Sequence, residues 1–342
     1  MTYDSAELMH AHGPAPARGR IRCAPEDFLV DEQPAFEPSG AGEHVLLHVR
    51  KRNTNTDWLA RQLARHAGVQ PIDVGFAGLK DRDAVTTQWF SIHLPGKPEP
   101  DWRQLENDDL QLLQIVRHHR KVRRGALRGN AFNLVVRSLH GDRQAVETRL
   151  RRIRDRGVPN YFGPQRFGRD GGNLNSADAL FAGRLGRVSR HRRGLYLSAA
   201  RSHLFNSVLA ARVEDGDWDT GLAGDLMVLQ GSRSVFGCEA LDRTLRERLA
   251  AHDIHPTGPL WGRGQPGTRG ECLALEQRVL QPFDAWRDGL ERAGMKQERR
   301  ALRVVPADLN WSWDADDVLR LRFALPAGSY ATAVLREVAD LE

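Results

Sequence analysis

From residue 43 to residue 50, Val45, Leu47 and Val49 alternate with His44, His48 and Arg50, the two-residue period of a strand with one buried face. Asn-Thr-Asn-Thr at 53–56 then offers N-caps, Trp58, Leu59 and Leu63 recur at helical spacing, and Gly68 suits a left-handed stop, so a helix is predicted. Residues 74–79 and 87–94 read as two further strands. Gln88, Phe90, Ile92 and Leu94 share one face of the second, and a charged loop joins the pair. Phe132, Leu134 and Val136 alternate again, before a helix from about Asp142 that buries Val146, Leu150 and Ile153 and stops at Gly157 and Pro159.

Beyond that point the pattern changes. Residues 159–305 carry Gly-rich turns (Gly168 to Gly172), an Arg-rich segment (Arg184 to Arg193) and a helix expected after Ser198 with Leu204, Phe205, Val208 and Leu209. Leu319, Leu321, Phe323 and Leu325 then alternate with Arg320 and Arg322 in a clean strand, followed by a Pro-Ala-Gly-Ser turn and a closing helix. The first fifteen or so residues show no period and read as a loose tail or irregular lead-in. Alternation by itself supplies strands and helices in one chain, with a second domain between about 159 and 305.

The 342 residues, 40% of them hydrophobic, suffice for one large core or two moderate ones. Fifty Lys and Arg against 44 Asp and Glu leave a formal charge of +6, which favours an anionic partner, nucleic acid first. No run of eighteen apolar residues occurs and the N-terminus lacks the features of a secretory signal, so a cytoplasmic protein without membrane attachment is expected. Cys23, Cys238 and Cys272 form no Cys-x-x-Cys and read as free thiols rather than a disulfide framework or zinc site.

The chemistry concentrates at Gly-Phe-Ala-Gly-Leu-Lys-Asp-Arg-Asp-Ala-Val-Thr-Thr-Gln-Trp-Phe, residues 75–90, where an apolar strand breaks at Asp81 into a charged turn. Period and charge favour a solvated loop there. The segment, however, resembles the Gly-x-Lys-Asp-(Lys/Arg)-x-Ala-Val-Thr-x-Gln signature of the TruD family of tRNA pseudouridine synthases. Further motifs follow in the same order: Pro-Glu-Asp-Phe (25–28), Gly-Glu-His (42–44), Asn-Thr (55–56), Gly-Ala-Leu-Arg-Gly-Asn-Ala-Phe (125–132), Val-Pro-Asn-Tyr-Phe-Gly-Pro-Gln-Arg-Phe-Gly (158–168), Leu-Ser-Ala-Ala-Arg-Ser (197–202) and Leu-Pro-Ala-Gly-Ser-Tyr-Ala-Thr (325–332). The resemblance runs over nearly the whole chain from about Arg20.

It implies an α+β protein with a pseudouridine synthase fold: a mixed, largely antiparallel sheet flanked by helices, plus an inserted second domain. The catalytic domain would comprise 1–158 and 306–342, and the inserted TRUD domain 159–305. The implied activity is isomerisation of uridine to pseudouridine in tRNA, at position 13 of the D arm, using neither metal nor small-molecule cofactor; a monomer is expected, though no sequence feature addresses oligomeric state. Asp81 is the implied catalytic aspartate, acting either as nucleophile on the glycosyl fragment or as base at the sugar. A cation should hold it ionised; Arg22, Lys80 and Arg82 are candidates, and the family places a basic residue at Arg22. A uridine in folded RNA must be extruded and its faces and edges satisfied. Phe132 matches the family's stacking phenylalanine, Tyr330 stands where phenylalanine is more expected, and Asn130 is either a partner for the uracil edge or a turn cap. Asp83 departs from the family, which has histidine or tyrosine there. A synthase for another RNA and a noncatalytic RNA-binding protein are the alternatives; a glycosidase using Asp81 and Asp83 is disfavoured by their closeness.

The run Arg117-His118-His119-Arg120-Lys121-Val122-Arg123-Arg124, with Arg128 beyond, reads as a phosphate track, with Arg120, Lys121, Arg123, Arg124 and Arg128 as the RNA-binding residues. Arg184, Arg187, Arg190, Arg192 and Arg193 form a second basic cluster, able to grip another part of the RNA. Gly262 to Gly267 fits Gly-x-Gly-x-x-Gly, but Pro266 interrupts the turn and no clear apolar run is read before it. His118 and His119 lack partners at metal-ligand spacing.

Overall fold

The structure, a computed structural model, describes residues 8–342. The chain divides into two compact units. One holds Ala17–Asp142, Pro306–Gly328 and Ala339–Glu342, and the other Arg143–Val305, Ser329–Val338 and the described residues up to Pro16. The helix expected from Asp142 and the closing helix thus group with the inserted segment.

The first unit is built on a ten-stranded sheet. Its strands are β1 (Ala17–Arg20), β2 (Phe28–Pro34), β3 (His44–Arg52), β4 (Val74–Phe76), β5 (Val85–His93), β6 (Leu110–His118), β7 (Leu127–Gly141), β8 (Ala307–Ala315), β9 (Val318–Pro326) and β10 (Asp340–Leu341). The order is β8-β9-β7-β2-β5-β3-β6, with β1 on β7, β10 on β1 and β4 on β5. Only β2 with β5 and β1 with β10 run parallel, so the sheet is mixed and largely antiparallel. The helix α1 (Thr56–His66) starts where the Asn55 carboxamide accepts from the Asp57 and Trp58 amides, and Gly68 at φ 61° follows its end. Leu59 and Leu63 of α1 pack on Val45, Leu47 and Val49 of β3 and on Phe90 and Ile92 of β5. The alternation in β5 understates its burial, since Thr87, Trp89 and Ser91 on its other face are buried along with Phe90 and Ile92. Central strands bury both faces.

The second unit packs helices α2 (Arg143–Arg156), α3 (Gly172–Phe181), α4 (Arg190–Glu214), α5 (Arg243–Ala250), α6 (Gly270–Leu280), α7 (Asp284–Arg292) and α8 (Ala331–Val338) with a four-stranded sheet. Helix α4 begins at Arg190, eight residues before the expected start, because the Ser189 hydroxyl accepts the Arg192 amide and caps it. Ser198 therefore lies inside the helix. Residues 8–16 are irregular but not loose. The Ala11 and His12 amides donate to the buried Glu337 carboxylate, and His12 is hydrogen-bonded to the Gly157 carbonyl at 2.8 Å. The strand Ile254–Leu260 precedes the Gly262 to Gly267 turn, yet the next helix opens only at Gly270, so the strand-turn-helix of a dinucleotide site is not formed. No helix among the described residues is long and apolar enough to cross a membrane.

Candidate active site

Asp81 lies in the loop between the antiparallel strands β4 and β5, which exchange bonds from Val74–Ile92 to Phe76–Phe90. The strand before the loop ends at Phe76, three residues earlier than the periodicity predicts, because the next residues turn to bond α1 and β5. Buried Thr56, the first residue of α1, accepts the Lys80 amide at 3.1 Å and donates to Gln88 Oε1 at 3.0 Å, while Gln88 Nε2 donates to the Gly78 carbonyl at 3.3 Å. The Asn-Thr motif at the cap and the glutamine of the loop motif thus fix the backbone just ahead of Asp81.

Arg22 reaches the aspartate from the segment between β1 and β2. Its Nη2 donates to Asp81 Oδ2 at 2.9 Å, both side chains being about one-third exposed. The Arg22 backbone sits at φ 58°, a left-handed conformation that costs an arginine roughly 1–2 kcal/mol. The following turn holds it there. The carboxylate of Asp27 accepts the Ala24 amide at 3.0 Å and pairs with the Arg137 guanidinium at 2.7 Å, and the guanidinium of Arg22 lies 4.2 Å above the ring of Phe28. The Pro-Glu-Asp-Phe motif is therefore the support of Arg22. Its buried Nε has no hydrogen-bond partner among the described residues.

Lys80, expected beside the substrate, is committed elsewhere. Its ammonium donates to Glu32 Oε2 at 2.5 Å with both side chains almost fully covered, and Glu32 Oε1 accepts the Trp89 amide. Lys51, at the end of β3 and wholly buried, donates to the Thr54 carbonyl at 2.5 Å and to the Asp81 carbonyl at 3.4 Å. Burial first and the neighbouring Lys80 charge second push its pKa down to about 8, against a raising effect of Asp81. Neither Glu32 nor Lys51 was singled out from the sequence, yet both had a signal there. Glu32 has the parity of Phe28 and Val30, and Lys51 the parity of Val45, Leu47 and Val49, so each ionisable group continues an apolar face.

Asn130 and Phe132 project from β7, which pairs with β2 on one side and β9 on the other. Asn130 stands opposite Glu32 and Leu325 in register, inside a strand rather than at a turn cap. Its buried Oδ1 has no hydrogen-bond partner among the described residues, an acceptor suited to an imide N–H. Phe132 is 8% exposed, stacked on Phe323 at 5.4 Å and edge-on to Phe28 at 6.5 Å. Arg22, Lys80, Asp81, Asn130 and Phe132 thus all belong to the ten-stranded unit, linked through Phe28 and Glu32. Tyr330 belongs to the other unit, where its hydroxyl accepts from Arg166 at 2.6 Å.

The basic run is narrower as a surface than as a string. His118 is buried and bonded to Ser39, and Arg117 pairs with Glu99 at 2.7 Å. Lys121 donates to the Ile72 carbonyl, and Arg124 lies 4.1 Å over Phe76 with Asp57 3.6 Å away. Arg120, Arg123 and Arg128 remain exposed with no ion pair among the described residues. In the second cluster Arg184 pairs with Asp178, whereas Arg187, Arg190, Arg192 and Arg193 are exposed.

Known proteins match the chain over its length. The family model for tRNA pseudouridine synthase D (TruD) matches residues 8–176 and 172–338. A tRNA pseudouridine synthase D of Methylococcus capsulatus is 52% identical over 336 residues, 98% of this chain and 95% of the relative. Another, of Nitrosococcus oceani, is 53% identical over 333 residues, 97% and 93% of the two chains. A solved structure assigned to TruD from Methanosarcina mazei superposes with a TM-score of 0.73 at 22% identity, covering 96% of this chain and 95% of that one, and so shares the fold. The chain belongs to the TruD family of tRNA pseudouridine synthases.

Proposed function

We propose that this chain isomerises uridine 13 in the D arm of tRNA to pseudouridine, with Asp81 as the essential carboxylate. The observation that carries the reading is Asp81 itself, on a loop pinned by Thr56 and Gln88, with its carboxylate fixed by Arg22 at 2.9 Å. The reaction breaks the bond from ribose C1′ to N1, turns the uracil over and joins C1′ to C5; the C5 proton is lost and N1 gains one. No atom is added and no electron leaves the nucleotide. A carboxylate serves either as nucleophile at C1′ or as base at the sugar, and the Arg22 contact to Asp81 supports either role.

Asn130 is the proposed partner of the uracil imide and Phe132 the proposed stacking ring, supported by the unpaired Oδ1 and by the aromatic support beneath Phe132. Lys80 acts from behind, as the partner of Glu32 that fixes the residue before Asp81. Residues 159–305 form the inserted domain, and Tyr330 serves the substrate from the unit that contains that domain. Arg120, Arg123 and Arg128 are the first phosphate contacts. A transcript labelled with tritium at uridine C5 tests the site of reaction: label should be released in proportion to pseudouridine, and a transcript with cytidine at position 13 should release none. Full release from that second transcript would move the target elsewhere.

A further inference from the structure

The motif at 158–168 builds a second basic site that the reaction centre leaves unused. Val158–Pro159 pairs with Arg303–Val304, and Asn160 donates from its amide to the Leu302 carbonyl at 2.7 Å and from Nδ2 to the Ala301 carbonyl at 3.0 Å. The buried Asn206 carboxamide then accepts from the Phe162 amide and donates to its carbonyl, each at 2.9 Å. Phe162 is thereby fixed, edge-on to Phe205 at 5.5 Å. The turn Pro164–Phe167 brings Arg166 back over the Phe162 ring at 5.3 Å, and Arg300, from the strand Glu298–Ala301, lies over the same ring at 4.2 Å.

Two guanidiniums on one ring repel each other. Arg166 donates to the Ser198 hydroxyl at 3.1 Å and to the Tyr330 hydroxyl at 2.6 Å, and Arg300 donates to Asn160 Oδ1 at 2.6 Å. Both acceptors of Arg166 are hydroxyl groups. Burial, then the charge of Arg166, lowers the pKa of Arg300 to about 10 against the opposing effect of Tyr330, so Arg300 stays cationic at neutral pH. Arg166 keeps further N–H donors beyond the two it uses, and a phenol that accepts one hydrogen bond still has its own proton to donate. An oxyanion would relieve the repulsion and take up those donors together.

We propose that Arg166, Arg300 and the Tyr330 hydroxyl form an oxyanion site that takes a backbone phosphate of the substrate RNA. The proposal rests on the reading of this chain as a tRNA-modifying enzyme. It assigns a role to the hydroxyl that distinguishes Tyr330 from the phenylalanine more expected there.

The test is equilibrium binding of unmodified tRNA transcript across a salt series to the full-length protein and to Arg166→Gln, Arg166→Lys and Tyr330→Phe. Loss of one phosphate contact should flatten the dependence of log K on log salt by about 0.7–0.9 in Arg166→Gln and weaken binding about tenfold at low salt, while Arg166→Lys restores the slope. Tyr330→Phe should keep the slope and bind several-fold more weakly. An Arg166→Gln protein that melts like wild type yet keeps the wild-type slope would overturn the proposal. Should that variant not fold, unchanged affinity of Tyr330→Phe would overturn it. Wild-type protein that neither binds nor modifies tRNA would instead remove the RNA reading on which the proposal stands.

Discussion

Glu32 holds the ammonium of Lys80 at 2.5 Å, both side chains hidden from solvent, one residue before the aspartate at the centre of the site. The lysine of the loop motif is thus a strut under Asp81. Removing one partner leaves an uncompensated buried charge, so Glu32→Gln should destabilise the protein by about 3–5 kcal/mol in denaturant unfolding. The double variant Glu32→Leu with Lys80→Met should recover most of that loss and remain poorly active. Recovery of full activity would show that the pair does not position Asp81.

Lys51 gives a pH signature. Its pKa in the folded chain is pushed down to about 8 from 10.5, chiefly by burial. Between those values the unfolded chain holds the proton and the folded one does not, so this group's contribution to stability rises with pH across the window. Its penalty is fully present below pH 8. The stability of Lys51→Met relative to wild type should therefore decline by roughly 2 kcal/mol from pH 7 to pH 10. A difference independent of pH would mean that Lys51 is not a desolvated cation.

Arg22 orients a carboxylate through one hydrogen bond from a strained backbone. Arg22→Met should lower kcat on tRNA by about a hundredfold, as misplacement of a reacting group does, with little change in tRNA affinity. Unchanged turnover would end the assignment.

At Phe132 the observed packing can be separated from the proposed stacking on the base. Phe132→Ala removes packing against Phe28 and Phe323 and should cost about 3–5 kcal/mol of stability. Phe132→Leu keeps most of that apolar volume but not a flat face, so it should melt near wild type and lose about 1–3 kcal/mol of stacking, read as a lower kcat/KM. Wild-type kcat/KM in a folded Phe132→Leu protein would confine the residue to the core.

What could be read from the sequence was what repeats or matches a motif. The alternation of β3, β5, β7 and β9, the Asn55 cap and the Asp81 loop all follow from period and residue type. Partner choice was less legible, because a charged string does not reveal which members are already paired. Arg117 pairs with Glu99 and Lys80 with Glu32, partners 18 and 48 positions away in sequence. The early start of α4 was hidden by arginines and a glycine that read as loop, while the core contacts of Leu204 and Phe205 hold the helix from its middle.

The most direct test is to map pseudouridine at single-nucleotide resolution in unmodified tRNA transcript after incubation with wild-type and Asp81→Asn protein, in chelator and without added cofactor. Pseudouridine at position 13 is expected with wild type alone, and tRNA binding with both proteins. Modification by Asp81→Asn, or none by wild type despite tight binding, would contradict this expectation.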